Sequence, residues 1–119
     1  MSPRWRLGNA IDGRDLRAQL ERRRRPRDAR AKRLLARLRH AELARARAIL
    51  ETGACLRELM AERLWANLGY ARFEELLAAL GIGRSQAWKL MALAQGASAE
   101  RVAALGVEGA YRELRDARR

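Results

Sequence analysis

Between residues 73 and 91 the apolar positions fall into two short helical registers separated by a glycine. Leu76, Leu77 and Leu80 recur at helical spacing before Gly81, and Ala87, Leu90 and Met91 recur after it. Positions three and four apart share one face of a 3.6-residue helix, so each set marks a stripe that has to be buried. The pattern predicts helices over roughly 72–80 and 84–94. A helix ending at Leu80 needs a next residue that accepts positive φ, and Gly81 does so without steric cost. Ile82 then fills the gap between the two helices.

The flanking segments are also helical in pattern. Residues 28–50 are strong helix formers without Gly or Pro. Leu34, Leu35 and Leu38 mark one stripe there, which Leu43, Ile49 and Leu50 continue with a phase slip. Thr52 and Gly53 leave open whether this helix ends or only bends. Leu56, Leu59, Met60 and Leu64 form a further helical face that stops at Gly69 and Tyr70. Beyond the motif, Gln95, Gly96 and Ala97 close the second helix. Ser98 is placed to N-cap a helix over 99–105, with Glu100 suited to its positive end, and Gly106 is the matching stop. Val107, Tyr111 and Leu114 predict a last short helix.

Residues 1–27 lack a sustained apolar period. They contain Pro3, Gly8, Gly13 and the run Arg22, Arg23, Arg24, Arg25 closed by Pro26. Weak apolar content and charge repulsion predict a mobile basic arm, with a short helix over 15–24 as the alternative. The chain has two Val and three Ile in 119 residues, and no strand-type run. The expected fold class is all-α: a helix-turn-helix domain with a long basic N-terminal helix and a flexible Arg-rich arm. The expected divisions are 1–27 for the arm, 28–68 for a basic and a supporting helix, and 69–119 for the helix-turn-helix domain.

Charge changes the picture. The formal net charge is +12, and residues 1–50 hold 16 Lys and Arg against 5 Asp and Glu, a net of +11. Residues 51–119 hold 10 against 9. A basic half beside a nearly neutral motif half points to a polyanionic partner, and double-stranded DNA fits both. Cys55 is the single Cys; it lies beside Leu56 and Leu59 and is read as a small buried hydrophobe. His40 stands alone among arginines, and a metal site needs more ligands than are in view. No apolar run approaches the ~20 residues of a membrane span. No nucleophile–base pair, phosphate-binding glycine loop or carboxylate pair stands out, so neither an enzyme nor a cofactor is expected. The expected setting is bacterial, cytoplasmic and nucleoid-associated.

Helical geometry sorts the second motif helix. At ~100° per residue, Ala87, Leu90, Met91 and Ala94 cluster on one side. Ser85, Lys89 and Ala92 point away from them, with Gln86 and Trp88 on the flanks. Arg84 opens the helix. Ser85, Gln86 and Lys89 can hydrogen-bond base edges or phosphates; Gln suits adenine and Lys suits guanine. Trp88 is either a DNA contact or a packing residue against Tyr70 or the N-terminal helix. The polar face as a whole has the plainer reading of a solvated surface.

The stretch GYARFEELLAALGIGRSQAWKLMALA (69–94), followed by SAERVAALGVEGAYRELRDAR (98–118), resembles small bacterial and phage helix-turn-helix DNA-binding proteins of the repressor and plasmid-partition type. Such proteins usually carry Ala where this chain has Leu77, and a branched apolar residue where it has Ala87. The resemblance implies that the helix after the turn reads the major groove through Arg84, Ser85, Gln86, Trp88 and Lys89. Gly81 and Ile82 would form the structural turn. Arg22, Arg23, Arg24, Arg25 and Arg27 would add affinity through phosphates. The expected function is a sequence-specific transcriptional regulator, acting as a homodimer on repeated half-sites. The alternatives are an architectural or partition-type protein that coats DNA, and an adaptor whose helix-turn-helix binds another protein.

Overall fold

The structure is a computed structural model that describes residues 13–118. These form helix α1 (Gly13–Ala61), a 3₁₀ turn (Ala66–Leu68), and helices α2 (Phe73–Leu80), α3 (Arg84–Gly96) and α4 (Ala99–Ala117). The fold is all-α, with no strand among the described residues. The chain divides into two compact units at the Arg39–His40 boundary, and α1 contributes to both.

In the first unit, residues 13–27 are part of α1, which corrects the expectation of a mobile arm there. Residues 1–12 of that arm lie outside the described residues. Pro26 sits inside the helix. It removes one i→i−4 bond, but the chain on both sides consists largely of Ala, Arg and Leu, which lose little in a helix. Local pairs add support: Arg24 Nε lies 3.6 Å from the Asp28 carboxylate, and Arg22 Nε donates to the Ala18 carbonyl at 3.4 Å. Every residue from 19 to 42 is exposed, including Leu20, Leu34, Leu35 and Leu38.

In the second unit α1 continues through Thr52 and Gly53, which neither end nor interrupt it. Gly53 is buried, and a Cβ built there would collide with the Leu90 carbonyl oxygen and lie 3.0 Å from Ala94 Cβ. The glycine is therefore a packing residue: its missing side chain lets α1 press against the backbone of α3. What ends α1 is a non-glycine. Arg63 adopts φ 54°, Leu64 N–H donates to the Leu59 carbonyl at 2.9 Å, and Arg63 N–H donates to Met60 at 3.3 Å. This is the paired bonding of a left-handed helix cap. Leu64 thus falls beyond the helix and is exposed, not on the stripe with Leu56 and Leu59.

Two apolar clusters build the core. Leu56, Phe73, Leu76, Leu77, Ala87 and Met91 form one, with Leu59, Met60, Trp65, Tyr70 and Ile82 packed on it. Trp65 meets Phe73 edge-on with ring centroids 5.9 Å apart. Ala46, Leu93, Val102 and Ala110 form the other, with Ile49, Leu50 and Val107 against it. The periodicity places Leu80 on the stripe with Leu76 and Leu77, yet it is 53% exposed. It is the last residue of α2, and Ile82, past the turn, packs on the cluster in its place. Cys55 is exposed, not buried. It stands ~100° around α1 from buried Leu56, and its thiol lies 3.8 Å from the Glu51 carboxylate. Partial desolvation on the helix surface, then the charge and hydrogen bond of Glu51, push the thiol above its ordinary pKa.

The α2–α3 connection follows the sequence pattern closely. Gly81 has φ 71° and ψ 23°, Ile82 N–H donates to the Leu77 carbonyl at 3.0 Å, and Gly81 N–H donates to Ala78 at 3.1 Å. Ser98 caps α4 by accepting from Arg101 N–H at 3.2 Å. Gly106 breaks the helical path of α4 with φ 73° and ψ 172°, a region open essentially to glycine alone. Across the kink, Arg101 holds Glu113 through a two-point ion pair that draws the Glu113 carboxyl below its ordinary pKa.

Gly53 and Gly81 fail by different routes, and their substitutions separate them. At Gly81 nothing lies within 4 Å of a Cβ, so the constraint is φ alone. Gly81→Val should cost about 1–2 kcal/mol while Gly81→Asn, which tolerates the left-handed region, retains most of the stability. Gly53→Ala should destabilise despite gaining ~1 kcal/mol of helix propensity, because overpacking against a backbone carbonyl costs about 1–3 kcal/mol or more. Thermal melts of the three variants check this; a raised midpoint for Gly53→Ala would show that α1 and α3 are not in close contact.

Candidate functional site

The site is the outer face of α3. Gly83 precedes the helix in extended conformation (φ −65°, ψ 148°) and supplies no side-chain cap; no acidic residue sits in the first turn. The neighbouring helices differ. In α2, Glu74 and Glu75 occupy the first turn, and Glu75 Oε2 accepts the Ala71 N–H at 3.0 Å. In α4, Ser98 and Glu100 do the corresponding work. The start of α3 is therefore positive in its backbone dipole and also carries the Arg84 guanidinium.

Burial follows the helical wheel. Ala87, Leu90, Met91 and Leu93 are buried, which fixes α3 against both clusters. Arg84, Ser85, Gln86 and Trp88 are exposed, and among the described residues none of the four has a side-chain hydrogen bond or ion pair. Trp88 is 47% exposed, so about half of its surface is open to solvent. At ~100° per residue Arg84, Trp88 and Gln95 fall on one side of the helix, with Ser85 and half-buried Ala92 beside them.

Lys89 departs from the sequence expectation. Its ammonium does not point outward with Ser85. It donates to Glu108 Oε1 and Oε2 of α4 at 3.0 and 3.1 Å and lies 5.9 Å from the centroid of the Tyr111 ring. The physical reason is the α3–α4 packing. Leu93 joins Val102 and Ala110 in the second cluster, which brings α4 alongside the flank of α3 that carries Lys89. Sequence alone does not single out Glu108 and Tyr111, because nothing local links them to Lys89, which lies 19 positions before Glu108. Nor does it mark Gln95 as a site residue; α3 continues to Gly96, and this extension puts Gln95 on the exposed face.

Arg22, Arg23, Arg24, Arg25 and Arg27 belong to the other unit and are all exposed on α1. Four consecutive helical residues sweep about 300° around the axis. The run therefore surrounds the helix with charge and does not line one face. Residues 13–39 hold 12 Lys and Arg against 3 Asp and Glu. Among the described residues no three His, Cys, Asp or Glu come together as a metal site, and no helix is long and apolar enough to cross a membrane.

Comparison with protein-family models, curated proteins and solved structures gives no match.

The Lys89–Glu108 pair can be tested by itself. The Lys89 side chain is 27% exposed, so the pair is partly shielded from water. A double-mutant cycle with Lys89→Met and Glu108→Gln should give a coupling of about 0.5–1 kcal/mol at low salt. In roughly 1 M salt it should shrink. Zero coupling at low salt would show that Lys89 is free of α4.

Proposed function

We propose that the protein is a helix-turn-helix DNA-binding protein whose α3 enters the major groove, most concretely a sequence-specific transcriptional regulator. The observation that carries this reading is the exposed face of Arg84, Ser85 and Trp88 at the start of a helix whose first turn is free of carboxylates. A helix N-terminus of that kind attracts phosphate, and Arg and Ser are donors suited to base edges. The α2–Gly81–α3 geometry supports it: α3 is buried on one side and open on the other, as a reading helix has to be. Leu77 and Ala87, which invert the usual small and branched positions of that class, are both buried in one cluster.

The basic part of α1 adds the sequence-independent share of affinity. Its charge surrounds the helix, as phosphate contact without base reading would use it. Pairing of two copies through Leu34, Leu35 and Leu38 would supply the second half-site, with DNA phosphates offsetting the like charges of the two helices. A coating protein of partition type is the second reading, favoured by the 12 Lys and Arg of residues 13–39.

The test is selection from a randomised duplex pool with the full chain, followed by binding measurements on the enriched and on random DNA. A narrow enriched sequence is expected. Arg84→Ala should lower the preference for it by about 1–3 kcal/mol. Replacing Arg22, Arg23, Arg24 and Arg25 by Gln should weaken binding to both DNAs alike. The slope of log K against log salt should become shallower by about 0.9 for each phosphate that is no longer neutralised. Binding without enrichment would favour the coating protein. Absence of binding at about 50 mM salt, where electrostatic contacts are strong, would overturn the DNA reading.

A further inference from the structure

We infer that α3 reads the C5-methyl group of a thymine through Trp88, beside a guanine read through Arg84. The inference rests on the DNA-binding reading above and names the chemistry that reading leaves open.

Trp88 is the largest side chain on the outer face of α3, and it is half exposed with no hydrogen-bond or ring partner among the described residues. An indole offers one N–H donor and no acceptor; the rest of its surface is apolar. In the major groove most polar atoms of a base edge are donors or acceptors, and an indole that covers one satisfies it only where its single N–H meets an acceptor. The exception is the thymine methyl, the one apolar group that the groove presents. Trp88 therefore discriminates for thymine on two grounds: contact with the methyl, and the cost of covering anything else.

Arg84 supplies the neighbouring specificity. It lies one turn before Trp88 on the same side of the helix, and its fork of donors matches guanine O6 and N7. In helices that read the major groove, residues three apart contact successive bases, so side chains one turn apart reach neighbouring base pairs. Lys89, the other cation of the helix, is held by Glu108 and leaves the guanine to Arg84.

The experiment removes single groups from the DNA before any change is made to the protein. The duplex enriched by the full chain is resynthesised with deoxyuridine replacing one thymidine at a time, which deletes only the methyl. One position should weaken binding about fourfold, the equivalent of ~0.8 kcal/mol for one buried methylene-sized group. Trp88→Ala should melt like the parent protein and be indifferent to that replacement. A 7-deazaguanine at the neighbouring base pair, lacking N7, should weaken the parent but not Arg84→Ala. Equal affinity for every deoxyuridine duplex would overturn the inference while leaving DNA binding intact. So would a Trp88→Ala protein with unchanged affinity, which would mark the indole as a protein-contact surface. Failure to enrich any sequence would instead remove sequence-specific reading, and this inference with it.

Discussion

The second unit depends on how closely α1 can approach α3. Helices normally pack with axes about 8–10 Å apart, and the side chains at the contact set the distance. Here the contact is Gly53 against the Leu90 carbonyl and Ala94. α3 is then held on several sides: Ala87 and Met91 lie in one cluster, Leu93 in the other, and α4 flanks it. Gly53 is thus one of the contacts that together set where the outward side chains of α3 point. A site built on a helix held this way is more tightly placed than one carried by a loop.

How much of this is legible in the sequence depends on the range of the interaction. Features fixed by neighbours along the chain are readable. The positive φ at Gly81, the Ser98 cap and the break at Gly106 all follow from local backbone chemistry, and each appears where the residues put it. Features fixed by other elements are not. Gly53 carries the same letter as Gly81 but does opposite work: one ends a helix, the other lets a helix pass. Arg63 ends α1 with a residue that no rule of composition would choose. Cys55 sits at the edge of the Leu56–Leu59 stripe, and the edge faces solvent. On α3, the exposure of Arg84, Ser85, Gln86 and Trp88 is readable from the wheel. The capture of Lys89 is not, since it needs Glu108 on a helix whose docking side the wheel does not give.

The basic segment of α1 illustrates the reverse error. Charge and a proline argue for an arm, yet residues 13–27 are helical. High intrinsic propensity across a segment well past the ~12–15 residues at which isolated helices become marginal offsets both penalties. Its leucines remain open to solvent because nothing among the described residues of its own unit covers them. A cationic helix of this kind repels itself, and any polyanion that lies along it both gains contacts and relieves that repulsion.

The Lys89–Glu108 pair gives α3 a counterion of its own. A lysine in free solution surrenders no protein bond when it meets a phosphate. Lys89 would have to surrender one, and the carboxylate it left behind would face the incoming anion. In such a partner exchange the cation released from the phosphate is offset by one drawn to the abandoned Glu108 carboxylate. A titration against salt would then undercount the cations that touch the ligand. An anion approaching beside Glu108 would meet that carboxylate together with Lys89, while one arriving over Arg84 would meet a guanidinium with no ion pair among the described residues. The polarity with which α3 accepts a ligand would then be set by a residue of the following helix.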